Sequence, residues 1–103
     1  MSGAAPAVHG HRPAGPVSVA MATYDGLRWI DQQVTSILDS LGPDDELVVV
    51  DDGSTDGTWD WLMSHADPRI RACRNPANLG VRCSFERALS LARHEFVFLA
   101  DQD

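Results

Sequence analysis

Glu46-Leu47-Val48-Val49-Val50-Asp51-Asp52-Gly53-Ser54-Thr55-Asp56-Gly57 is the stretch that decides the fold. Its near-continuous apolar run is what a parallel strand carries when both of its faces are covered. The run breaks at once into two carboxylates and then into Gly, Ser and Thr, residues favoured in turns and at the first positions of helices. A strand running straight into a helix start is half of a β-α unit, so the rest of the chain is read for the same alternation.

Working towards the N-terminus, Val17-Ser18-Val19-Ala20-Met21-Ala22-Thr23 is a second apolar, partly β-branched run, ended by the turn signal Tyr24-Asp25-Gly26. Between the two runs, Leu27, Ile30, Val34, Ile37, Leu38 and Leu41 keep the i, i+3, i+4, i+7 spacing of one helical face, and Gly42-Pro43 ends the helix. Towards the C-terminus, Trp59, Leu62, Met63 and Ala66 mark a shorter helix that breaks near Asp67-Pro68. Ile70 to Arg74 is a weaker strand. Val81, Phe85, Ala88, Leu89 and Ala92 mark a third helix, and Glu95 to Ala100 a last, aromatic strand. The order β-α-β-α-β-α-β predicts an α/β fold with a mainly parallel sheet and right-handed crossovers. No helix follows the last strand, so the chain reads as cut short.

Composition bounds what such a fold can do. With 103 residues, 44% apolar and 22% charged, the chain makes one small domain. Eight basic against 15 acidic side chains give a net charge of -7, which repels nucleic-acid backbones and anionic lipid. Lys is absent, so neither a lysine Schiff base nor a P-loop lysine is available. Cys73 and Cys83 fit no redox or zinc spacing and read as reduced, partly buried thiols. No run approaches the ~20 apolar residues of a membrane span. Residues 1–16, rich in Ala, Gly and Pro with His9 and His11, lack the apolar core of a secretory signal and read as a disordered leader to a domain over 17–103.

In open α/β sheets ligands sit outside the carboxyl ends of the strands. There this chain places Thr23-Tyr24-Asp25, Asp51-Asp52, Arg74-Asn75 and Asp101-Gln102-Asp103, so as many as five carboxylates are expected around one crevice. Like charges so close raise one another's pKa unless a cation or hydrogen-bond donors compensate, and Mg²⁺ or Mn²⁺ on Asp101 and Asp103 is the economical answer. Such an ion keeps positions open for a diphosphate. A bare D-x-D also arises by chance, as solvated residues at a strand end. Asp52 is placed to accept a hydrogen bond from a base or a ribose hydroxyl, although Asp is common at helix starts regardless of function. Tyr24 offers a flat ring for a base, or packs locally. Ser54, Thr55 and Asp56 are assigned to helix-start chemistry. The three tryptophans are assigned to packing, and Arg82 to a solvated helix face in preference to a phosphate contact.

Taken together, Val17-Ser18-Val19 leading to Thr23-Tyr24-Asp25, Val48 to Thr58 through Asp51-Asp52-Gly53-Ser54, Asn78-Leu79-Gly80-Val81, and Phe98-Leu99-Ala100-Asp101-Gln102-Asp103 resemble family 2 glycosyltransferases of the GT-A fold. The Ala-Asp-Gln-Asp ending is similar to that of bacterial rhamnosyltransferase-type members that build cell-surface polysaccharides. The resemblance implies a truncated, Rossmann-like three-layer fold holding the nucleotide-sugar half of the enzyme. It implies Thr23 and Tyr24 flanking the nucleobase, Asp25 beside them where the family commonly has Asn, and Asp52 hydrogen-bonded to the base. Asp101 and Asp103 would serve ribose, metal and diphosphate.

The chemistry implied is inverting transfer from a UDP- or dTDP-linked sugar to a saccharide or lipid-linked hydroxyl, in the cytoplasm or at the cytoplasmic face of the membrane. The catalytic base is expected beyond Asp103, so the piece alone is expected to be inactive. Two other classes compete: a phosphate-handling α/β enzyme with clustered aspartates, such as a receiver-like domain or a phosphohydrolase, and a non-catalytic domain that binds a nucleotide or a protein. A receiver is disfavoured by the missing lysine, and a dehydrogenase by the lack of G-x-G-x-x-G after the first strand.

Overall fold

The structure is a computed structural model and describes residues 15–100, the side chain of Phe96 excepted. Seven elements follow one another: β1 (Val17–Thr23), α1 (Leu27–Asp39), β2 (Glu46–Asp51), α2 (Thr58–Ser64), β3 (Ile70–Arg74), α3 (Val81–Leu91) and β4 (Phe96–Ala100). The strands form one four-stranded sheet of order β3-β2-β1-β4, parallel throughout. The predicted α/β alternation holds element for element. In register, Ser18 lies opposite Glu46 and Thr23 opposite Asp51, while Val17 pairs with Phe96 and Met21 with Ala100.

The topology explains the layers. From β1 to β3 the chain steps one way across the sheet, so right-handed crossovers put α1 and α2 on one face. It then returns past β2 and β1 to β4, which puts α3 on the other. The first face packs Val19, Met21, Leu47 and Val49 against Ile30, Val34 and Ile37, all fully buried. The second packs Ala20, Val48 and Val50 against Ala88, with Leu91 and Val97 at the margin. Because β1 and β2 are covered on both sides, every one of their residues is buried, as a valine-rich run predicts.

Each of the three helices, and one cysteine, differs in a detail from expectation. Helix α1 ends at Asp39, short of Gly42-Pro43, since Ser40 and Leu41 turn back with i→i−3 bonds to Ile37 and Leu38. Arg69 ties down this turn, its Nη1 donating to the Leu38 carbonyl at 3.1 Å and the Leu41 carbonyl at 2.9 Å. In α2, which stops before Ala66, Met63 is exposed, as is Ala66 beyond it, and Trp59 and Trp61 pack half-buried against the core with Leu62. The helix is only seven residues long, and its indoles cover more of the sheet edge than a thioether would. In α3, Val81 and Leu89 face outward while Ser84 and Ala88 are buried. Small residues let this helix close onto the strands, and a hydrogen bond from Asn75 to Ser84 fixes its rotation. Cys83, expected to be partly buried, is exposed; Cys73 is half-buried, and both are free thiols.

At the amino ends of the strands, the buried Glu46 carboxylate gathers Ser18 Oγ at 2.6 Å, Arg71 Nη1 at 3.0 Å and the Arg93 N–H at 2.6 Å. Burial pushes its pKa up, but those donors outweigh burial and hold it below the ordinary value. Asp67 is held down to about 2, chiefly by its side-chain hydrogen bond from Arg69. Lowered carboxylates stabilise the fold above their unfolded pKa and lose that contribution as pH falls through the folded value. Folding stability is therefore expected to be flat above about pH 5 and to fall steadily towards about pH 2. Urea unfolding across that range checks it, and a protein equally stable at both ends contradicts the network.

Candidate nucleotide site

The strand order reverses at β1: the chain leaves it for β2 on one side and comes back to β4 on the other. A crevice of about 500 Å³ opens at that point, beyond the carboxyl ends of β1 and β2. One wall is Thr23, Tyr24 and Asp25 with Trp29 from the first turn of α1. The floor includes Asp52, and the other wall is the loop after β3 and the start of α3, from Asn78 to Phe85. Ligands of open α/β sheets bind at such a reversal.

Backbone conformation sets the first wall. Asp25 adopts φ 48, in the left-handed region that Asn and Asp tolerate best among residues with a side chain. That is why aspartate stands in for asparagine here without loss of turn geometry. Its N–H donates to Ser54 Oγ at 2.7 Å, and its Oδ1 accepts from the Thr55 N–H at 2.8 Å, tying the exit of β1 to the exit of β2. The turn throws the Tyr24 ring outward, 50% exposed on the crevice. Trp29 is likewise 53% exposed there, with the Arg28 guanidinium 5.1 Å from its ring centre. Trp29 is among the lining residues that sequence reasoning missed, with Val81, Ser84 and Phe85 of α3: its place on a helix suggested packing, and only its position in the first turn, three residues after Gly26, hinted at the rim.

The two adjacent aspartates divide their roles, since alternation along a strand sends neighbours opposite ways. Asp51 was expected at the crevice and instead points inward, fully buried. Its oxygens accept from Thr23 Oγ1 at 2.8 Å, Ser54 N at 2.9 Å and Ser54 Oγ at 2.6 Å, with Arg74 Nε at 3.8 Å. Thr23 thus lines the crevice but spends its hydroxyl proton on Asp51. Asp52, 3% exposed, accepts from Asn75 Nδ2 at 2.8 Å, Leu79 N at 2.7 Å and Gly80 N at 2.9 Å. Burial raises its pKa, and these donors together with Ser84 lower it further still, so it is ionised well into acid.

Of the residues assigned to helix-start chemistry, Asp56 performs it twice. It accepts from the Thr58 N–H and hydroxyl at the start of α2, and from the Leu27 N–H at the start of α1. Ser54 does not cap α2; it joins Asp51 to Asp25. Arg82 is 90% exposed, with Glu86 at 3.4 Å one turn on, a solvated helix face.

Asp101 and Asp103 lie outside the described residues. Strand β4 is described as far as Ala100, which pairs with Met21 of β1 and is buried in the core. Among the described residues no group of three or more His, Cys, Asp and Glu is arranged to hold a metal ion. Asp25, Asp51 and Asp52 are each engaged by N–H or O–H donors of the chain. Among the described residues no helix is long and apolar enough to cross a membrane.

A parallel α/β unit with an aromatic and acidic crevice at its reversal point is an architecture of the Rossmann-like kind. Residues 18–103 match the family model of glycosyl transferase family 2, and the chain belongs to that family. It is 36% identical over 89 residues to TuaG of Bacillus subtilis, a glycosyltransferase named for teichuronic acid biosynthesis, a match covering 84% of this chain and 35% of that one. It is 31% identical to WfaP of Escherichia coli, named as a UDP-Glc:alpha-D-GlcNAc-diphosphoundecaprenol beta-1,3-glucosyltransferase, over 84% of this chain and 35% of that one. The chain thus spans about a third of the length of these relatives.

Among solved structures, TarS of S. aureus superposes with a TM-score of 0.74 at 28% identity, covering 82% of this chain and 26% of TarS. The mannosyltransferase PcManGT of Pyrobaculum calidifontis, solved with GDP-Man and Mn²⁺, does so with a TM-score of 0.69 at 30% identity, covering 91% and 28%. The GT-A fold expected from the motifs is therefore the fold of the chain.

Proposed function

We propose that the crevice takes the nucleoside diphosphate of a UDP- or dTDP-linked sugar, as the donor side of a glycosyltransferase that builds cell-surface polysaccharide. The observation that carries the reading is the pair of exposed rings, Tyr24 and Trp29, on the wall of a crevice at the sheet's reversal point. Tyr24 supplies the face for the base and Asp25 braces the turn that presents it. Support for a nucleotide sugar comes from the family and from PcManGT, solved with GDP-Man.

The described residues do not by themselves form a metal centre, so Mg²⁺ or Mn²⁺ is assigned to Asp101 and Asp103, carboxylates suited to a hard cation. When bound, the ion neutralises the charge of the departing diphosphate. The acceptor is a saccharide or lipid-linked hydroxyl, which attacks the anomeric carbon with inversion as a carboxylate base takes its proton. That base lies outside the residues assigned here. Work on a lipid-linked acceptor would bring the enzyme to the cytoplasmic face of a membrane.

Titration calorimetry with UDP or dTDP in the presence of Mn²⁺ tests this, with Tyr24→Ala expected to weaken binding by about tenfold or more, the worth of one stacked base. Equal binding of the unmutated chain with chelator present counts against the metal. Nucleotide is also expected to quench tryptophan emission, and the quench should vanish in Trp29→Phe while surviving in Trp59→Phe and Trp61→Phe. A quench that persists without Trp29 removes that indole from the site.

A further inference from the structure

Charge is spread unevenly over the chain. Residues 69–93 hold six of its eight arginines and only one of its 15 acids, Glu86, in a protein that carries -7 overall. Arg69 and Arg71 are answered by Asp67 and Glu46, at 2.9 and 3.0 Å. Arg74, Arg82, Arg87 and Arg93 are exposed. Arg87 Nη1 donates to two neutral oxygens, Asn75 Oδ1 at 2.6 Å and the Arg74 carbonyl at 3.3 Å, which tie α3 to the end of β3 without cancelling the charge. Arg82 meets Glu86 in a pair that water surrounds on both sides. The layer formed by α3 is therefore cationic on an otherwise acidic molecule.

Aliphatic side chains share that layer. Leu79, Val81 and Leu89 are all exposed. Arg82, Glu86 and Leu89 stand at i, i+4 and i+7, on the side of α3 opposite the buried Ser84 and Ala88. A helix lying on a sheet is a convex ridge, with no groove to seat a peptide. Its exposed apolar residues are aliphatic, whereas surfaces for single-stranded nucleic acid stack bases on aromatic rings. Arginine mixed with exposed leucine and valine on a ridge suits a bilayer interface, where guanidinium meets phosphate and the aliphatic groups enter the headgroup boundary.

We infer that the outer face of α3, from Val81 to Arg93, is a docking surface for a bilayer rich in anionic phospholipid. The net charge does not oppose this. Asp31 and Asp39 on α1 and Asp60 on α2 lie across the sheet, and salt screens exposed charges beyond about 8 Å. The acidic layer then faces water while the basic one faces lipid. Because Gly80 and Val81 at the start of α3 also line the crevice, docking sets the crevice mouth beside the bilayer, the side from which a lipid-linked hydroxyl is presented. That last consequence, unlike the docking itself, rests on the nucleotide reading of the crevice.

Flotation with vesicles of phosphatidylglycerol and phosphatidylcholine, without nucleotide, tests the inference. The chain is expected to bind the mixed vesicles, to ignore phosphatidylcholine alone, and to let go as salt rises. Arg82→Gln with Arg93→Gln is expected to weaken binding about 25-fold, at about fivefold per arginine. Leu89→Gln is expected to weaken it with an unchanged salt dependence. These side chains are exposed, so the fold is not at stake. Asp60→Asn, on the far layer, is expected to change nothing.

Failure of the unmutated chain to bind the mixed vesicles overturns the inference, as does equal binding by the double variant or equal binding to neutral vesicles. Retention of single-stranded RNA, or self-association lost in the double variant, overturns it too if vesicles are not bound. Calorimetry with UDP reports separately on the crevice: docking that persists in a chain unable to bind UDP removes the nucleotide reading and leaves the membrane face standing.

Discussion

Asp51→Ala is expected to lower folding stability by about 3–5 kcal/mol, a large share of what a domain of this size has. The carboxylate is fully buried and is the shared acceptor for the Thr23 hydroxyl and for both the N–H and the hydroxyl of Ser54. Removing it strands donors from the ends of two strands in a region that water does not reach, and each stranded donor costs about 1–3 kcal/mol. Arg74 adds little, because it is half exposed and its Nε stands 3.8 Å away. Asp25→Ala, at the solvent-exposed rim, is expected to cost less, about 1–2 kcal/mol, since the bond it loses to the Thr55 N–H is one that water replaces and the remainder is the penalty of an alanine at φ 48. Urea midpoints for the two variants make the comparison. Unchanged stability in Asp51→Ala together with lost nucleotide binding would return Asp51 to the site.

The second large effect concerns Asp103. If it holds the ion that carries the diphosphate, Asp103→Ala is expected to abolish the Mn²⁺-dependent part of UDP or dTDP binding, a loss of about a hundredfold or more. Substitutions that only disturb a metal ligand's hydrogen bonds already cost 10–100-fold. Binding that remains should be insensitive to chelator and should reflect stacking on Tyr24 alone. Calorimetry with and without chelator separates the two contributions, and affinity that stays metal-dependent in the variant excludes Asp103 as a ligand.

What the sequence made legible follows from which forces are local. Strand and helix positions came through because valine runs and i, i+4 spacing are written directly in the chain: β1 and β3 fall where their runs predict, residue for residue. Rotations of helices did not. Val81 and Leu89 look like core on α3, but a polar anchor between Asn75 and Ser84 turns them outward, and nothing in the periodicity announces a buried serine as the inward residue. Adjacent carboxylates were equally opaque. Asp51 and Asp52 share a motif, yet strand alternation sends one into the protein and the other to the crevice floor, and the partners that neutralise each come from distant segments. Trp29 was hidden for a related reason, because an aromatic on a helix is ordinarily buried and only the geometry of the preceding turn places this one at the rim.

Strand β1 sits between an early neighbour and a late one: β2 follows it within about one helical crossover, whereas β4 comes after the six other described elements. During vectorial synthesis one flank of β1 therefore waits, its backbone amides and carbonyls open to any extended chain, until the aromatic strand emerges and seals it. The reversal point that creates the crevice is completed by that same event. Acquiring a ligand-ready rim and closing an aggregation-prone edge are thus a single step in the maturation of this domain, and slow docking of Phe96–Ala100 would delay both together.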